Sequence, residues 1–134
     1  MPFYRAAIGG GGGGGSCKYA CAMTGRDASS SNHYTSTGLT NDSNVFTVAK
    51  TTETATLGNS ITVNEAGVYH YVVCVCGSGG YRQGRWTLNG TVQGTYTAGG
   101  ATGDLTLAAN DVLAITIPSA PARYSDISLT LIKT

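Results

Sequence analysis

From Val45 onward the chain alternates apolar and polar side chains with a period of two, the spacing of a half-buried strand. The clearest run is Gly67-Val68-Tyr69-His70-Tyr71-Val72-Val73-Cys74-Val75. Tyr69, Tyr71, Val73 and Val75 share one face; Val68, His70, Val72 and Cys74 share the other. This predicts a long strand over Val68–Cys76 with both faces at least partly covered. Shorter runs predict strands at Val45–Ala49 and Glu53–Leu57 about a turn at Lys50–Thr52, and at Ser60–Val63 after a turn at Gly58-Asn59. Gln83–Leu88 and Thr91–Tyr96 flank Asn89-Gly90, a strong hairpin signal. Strands at Gly103–Leu107, Val112–Ile117 and Asp126–Ile132 complete the set. Helical periodicity is nowhere sustained. Short strands separated by turn dipeptides indicate a sandwich or barrel.

The first third reads differently. Gly9 to Gly15 is an unbroken glycine run, which loses more entropy on ordering than any other sequence and reads as a linker. Trimeric chains packing polyglycine side by side are the sharper alternative. Residues 1–15 are therefore an N-terminal peptide, carrying Phe3, Tyr4 and Ile8, plus the linker. Residues 16–44 are polar and loop-rich, with Lys18 to Met23 undecided between helix and strand. Residues 45–134 form the domain.

The order of elements in 45–134 resembles the C1q/TNF-like jelly roll: a G-x-Y-x-Y strand at Gly67–Tyr71, a hairpin, a leucine, small loop, acidic residue and strand within Leu107–Ile115 with Asp111 as the acid, and the alternating terminal strand Ile127–Ile132. The family's terminal strand is richer in aromatics; here Tyr124 stands alone beside it. The resemblance implies an all-β antiparallel jelly-roll sandwich assembled as a homotrimer. The two apolar faces of the long strand fit that implication, since a threefold neighbour would cover the second face.

Composition narrows the partners. Only 11% of residues are charged, against roughly 25% in average domains. The net charge of +1 offers no electrostatic case for nucleic acid or an anionic membrane. No apolar run approaches the ~20 residues of a membrane-spanning helix, and Met1–Ile8 does not read as a signal peptide. The four cysteines read as reduced thiols. Cys74 and Cys76 share a strand face at a spacing that strains a disulfide, Cys17 and Cys21 are able to pair locally, and the spacings fit zinc motifs poorly.

Catalytic chemistry is not evident. Of the two histidines, His33 lies beside Tyr34 in the polar segment, and His70 has no acid in the sequence to orient it. Gly77-Ser78-Gly79-Gly80 lacks the Lys-Ser/Thr of a phosphate loop and reads as a loop between strands. The densest aromatic and cationic cluster follows it: Tyr81, Arg82 and Arg85 as ligand-binding candidates, and Trp86 in the core or at a subunit interface. His70, Val72, Cys74, Trp86 and Tyr124 are the candidates for the trimer interface. No enzyme, cofactor or metal is expected. The expected function is a trimeric head of a phage or prophage tail fibre, made in the bacterial cytoplasm and carried on the virion. It would recognise a bacterial surface glycan or protein, with residues 1–15 available to other virion proteins. A bacterial or spore-surface adhesive protein is the alternative; a cupin-like enzyme would need more clustered histidines.

Overall fold

In the computed structural model the described residues are 18–27, 33–40, 42–51, 57–78, 83–117 and 124–133. They form ten strands: β1 (Lys18–Asp27), β2 (His33–Thr40), β3 (Phe46–Thr51), β4 (Leu57–Val63), β5 (Gly67–Ser78), β6 (Gly84–Leu88), β7 (Thr91–Tyr96), β8 (Gly99–Leu107), β9 (Val112–Ile117) and β10 (Tyr124–Lys133). Two five-stranded sheets result, ordered β2-β1-β10-β5-β8 and β3-β4-β9-β6-β7, with every pairing antiparallel. The chain crosses repeatedly from one sheet to the other, so sequence neighbours often sit in opposite layers.

The core lies between the layers and follows the predicted alternation. Tyr69, Val73 and Val75 of β5 are buried, as are Ile127, Leu129 and Leu131 of β10 and Leu113, Ile115 and Ile117 of β9. Aromatic contacts bridge the sheets. Phe46 meets Tyr69 edge-on with ring centroids 5.7 Å apart, and Tyr71 lies over Trp86 at 4.8 Å. The Trp86 indole N–H donates to the Tyr96 hydroxyl (3.3 Å). The Asn89-Gly90 hairpin forms between β6 and β7, with φ positive at both residues, as a type I′ turn requires.

Three expectations change. Two strands stand where the sequence suggests a polar, loop-rich segment: β1 pairs with β10 from Lys18 to Arg26 and β2 with β1. Small residues carry β1's inward face, Ala20 and Ala22 with Thr24, so its hydrophobic signal is weak, and its partner strand lies about a hundred residues away in sequence. Gly58-Asn59 is not a turn but the middle of the β3–β4–β9 ladder. Asn59 is fully buried there, because its side-chain amide donates to the Met23 carbonyl of β1 (2.6 Å), joining the two sheets. Gly77 and Ser78 continue β5, paired with Ser125 and Tyr124, instead of opening a loop. Residues 1–17, including the glycine run, and most of the expected Glu53–Leu57 strand lie outside the described residues.

Candidate functional site

Two outer faces are available to partners, and they differ. On the β3-β4-β9-β6-β7 sheet the outward positions are mostly small or polar, with Val112 and, in register with Thr87 toward the edge, Val92. In register they run Thr47–Thr62–Val112, then Ala49–Ser60–Ala114–Thr87, then Thr116–Arg85–Thr95. On the other sheet the rows run Asp104–His70–Ile132–Tyr19, Thr102–Val72–Thr130–Cys21 and Gly100–Cys74–Ser128–Met23. Among the described residues the exposed large hydrophobics are Met23 (44%), Val68 (45%), Val72 (39%) and Val92 (52%). The first three share the outer face of the second sheet; Val92 stands on an edge strand of the first.

β5 meets only half of its expectation, because the face expected to be partly covered is largely exposed in the single chain. One face is core, and the other presents Val68, His70, Val72, Cys74 and Cys76 outward. Cys74 and Cys76 are exposed free thiols, and Cys21, half-buried on β1, accepts a hydrogen bond from the Thr130 hydroxyl (3.5 Å).

His70 has the acid that sequence reasoning could not name. Its Nδ1 lies 2.8 Å from Asp104 Oδ1, and its Nε2 lies 3.0 Å from Thr102 Oγ1. Both partners come from β8, whose antiparallel register sets Asp104 opposite His70 and Thr102 one pleat along the same face. The Thr102 hydroxyl also lies 2.8 Å from the Tyr71 carbonyl, to which it donates. A carboxylate–imidazole–hydroxyl order resembles a nucleophile-activating chain. With the hydroxyl proton directed at the carbonyl, however, the ring does not act as base on that oxygen. The available signal was the alternation of Thr102, Asp104 and Thr106; what was missing was the pairing of that strand with β5.

The other candidates separate. Trp86 corrects the interface set: it is 3% exposed and turned into the sandwich against Tyr71, so it is core. Arg85 sits on the opposite outer face, between Thr95 and Thr116, with its Nε buried and without a hydrogen-bond partner. Tyr81 and Arg82 lie outside the described residues, as does the side chain of Tyr124, which opens β10 opposite Ser78. Among the described residues no group of three or more His, Cys, Asp or Glu side chains could hold a metal ion.

Comparison with known proteins decides the fold. The crystal structure of murine APRIL at pH 8.0 matches 89% of this chain and 100% of its own, with 13% identity and a TM-score of 0.50. The fold is a TNF-like jelly roll. β1 and β2 pair into the sheet of β10, β5 and β8, so the sandwich extends upstream of Val45. Envelope protein VP37 of White Spot Syndrome Virus matches 88% of this chain and 97% of its own at 14% identity; its TM-score of 0.31 carries no argument. No protein-family model and no curated protein matches the chain.

Proposed function

We infer that the protein is a non-enzymatic homotrimeric binding module, with the outer face of the β2-β1-β10-β5-β8 sheet turned toward its own copies. One observation carries this: Val68, Val72 and Met23 are exposed together on that face, while the opposite face is lined mainly by threonine, serine and alanine, with Arg85, Val112 and, toward its edge, Val92. A solvated sheet face has no use for such side chains, and burying each stabilises an assembly by about 1.5–3 kcal/mol at most. The jelly-roll topology supports the same reading, because the C1q/TNF-like resemblance implies threefold assembly.

Within that module the candidate ligand surface is the Gly77–Arg85 segment. Of its three candidate side chains Tyr81, Arg82 and Arg85, Arg85, with its unsatisfied Nε, is the described one. The setting that best accounts for the aromatic N-terminal peptide and glycine run is a phage or prophage tail-fibre head carried on the virion, recognising a bacterial surface glycan or protein. A bacterial or spore-surface adhesive protein is the second reading, and a cell-surface location would go with it. Light scattering tests the core of the proposal: the mass should be three times the 13.7 kDa chain. A clean monomer at micromolar concentration would remove it. Adsorption of the purified protein to bacterial cells tests the ligand, and Arg85→Ala should weaken that adsorption without changing the mass.

A further inference from the structure

We propose that His70 is doubly protonated in the assembled protein and that the Asp104–His70–Thr102 chain makes assembly pH-dependent, tighter below neutrality than above it. This rests on the trimer reading of the same face.

The hydrogen-bond directions carry the charge assignment. Thr102 has one hydroxyl proton, and at 2.8 Å it goes to the Tyr71 carbonyl, which only accepts. The Thr102 oxygen therefore turns a lone pair toward His70 Nε2, 3.0 Å away, so Nε2 must donate. An ionised Asp104 only accepts, so Nδ1 donates as well, across 2.8 Å. Both ring nitrogens carry protons, and the ring is an imidazolium paired with a carboxylate. Removing a proton leaves two lone pairs facing each other at Nε2, or pulls the hydroxyl off the Tyr71 carbonyl. It also leaves the Asp104 charge without its counter-ion.

Whether this matters depends on water. In the single chain the His70 and Asp104 side chains are 41% and 69% exposed, so solvent replaces what the pair loses and the pair adds little. In the assembly the neighbours of His70 on this face, Val68 and Val72, are covered, and Asp104 is covered with them. A desolvated carboxylate without its partner is then costly. The pH effect consequently appears in association and not in the fold of the chain.

Among the described side chains the other titratable groups of this outer face are Cys74 and Cys76 on β5, Asp126 on β10 opposite Cys76, and Tyr19 and Cys21 on β1. Lys133 of β10 points away from it, its Nζ 5.4 Å from the Tyr69 ring centroid and 4.0 Å from Glu65. Histidine is the side chain that changes charge between about pH 5 and 8. Three copies per trimer sum the effect. The hydrogen-bond directions fix the sign: association is tighter below neutrality than above it.

Sedimentation velocity on a dilution series at about pH 5.5 and about pH 8.5 tests this. The concentration at half-dissociation should rise about tenfold or more at the higher pH, while the melting temperature of the dilute monomer stays level. His70→Gln and Asp104→Asn, both at exposed positions, should flatten the difference. Equal or tighter association at the higher pH, or a full shift retained in both variants, overturns the inference and leaves the trimer standing. A monomer at every pH and concentration overturns both.

Discussion

At the scale of single residues, stability rests on a few polar groups placed where water is absent. Asn59 is the clearest. Its buried amide donates across the sandwich to the Met23 carbonyl, so Asn59→Leu removes the donor from that carbonyl and forces a branched side chain into a site shaped for an amide. The expected loss is about 1–3 kcal/mol, read as a lower urea midpoint with the slope unchanged. Asp111 works at the surface instead. It accepts from the Asn89 side chain (3.0 Å) and from the Ala108 N–H (2.8 Å), and these bonds, in that order, hold its carboxyl below the usual carboxylate range. Asn89 in turn accepts from the Val112 N–H, so the carboxylate ties the β8–β9 turn to the β6–β7 hairpin. A depressed folded value means the contribution is complete above the unfolded value near ~4 and is lost as pH falls through the lower, folded one. The stability gap between wild type and Asp111→Asn should therefore be flat above about pH 5 and close under stronger acid; a gap that widens in acid would count against the network. Asp111 reads in the sequence as a turn acid, but its tie to the hairpin and the role of Asn59 do not. Asn59 reads locally as half of a Gly-Asn turn, and only a partner strand in the other sheet shows why an amide is buried there.

At the scale of elements, alternation with an apolar stripe was legible and long-range pairing was not. β5, the β6–β7 hairpin, β9 and β10 emerge where the period-two pattern and Asn-Gly place them. β1 stayed hidden because alanine and threonine fill its inward face and β10 supplies its partner. The His70 site was half visible for the same reason: each of its three residues lies on a strand the pattern implies or adjoins, but the β5–β8 register alone joins them. That register depends on a glycine. A Cβ at Gly100 would run into the carbonyl oxygen and carbon of Val73 on β5, which are backbone and have nowhere to go. Gly90, by contrast, has open space about it and a φ of +84°. Gly90→Ala should cost about 1–2 kcal/mol, the ordinary penalty for a left-handed residue. Gly100→Ala should cost roughly 3 kcal/mol or more, since β5 and β8 cannot stay in register around the added atom. Thermal unfolding of the two variants ranks them; equal losses would mean that β8 shifts to make room and the tight approach is not needed.

At the scale of the whole molecule, the two outer faces permit a test that separates assembly from folding. Val72 lies in the middle of β5, and at 39% exposure it tolerates a charge in the single chain. Val72→Asp should thus leave the sandwich folded, with its melting temperature at high dilution close to wild type. In an assembly closed over this face the same carboxylate would be desolvated opposite an apolar neighbour, a cost of several kcal/mol per copy, and the trimer should dissociate. Thr116→Asp, at a half-buried outward position on the other sheet, is the control, because its face is mostly polar and lies away from the proposed threefold contact. Thiol chemistry reads the same contact without mutation. Cys74 and Cys76 flank the apolar row on the outer face, so their reaction with a bulky disulfide reagent should be fast in dilute monomer and slow at concentrations where the trimer forms. If Val72→Asp and Thr116→Asp dissociated the assembly equally, or if the two thiols reacted at one rate across the dilution series, the contact would lie elsewhere on the molecule. The exposed valines would then need another partner.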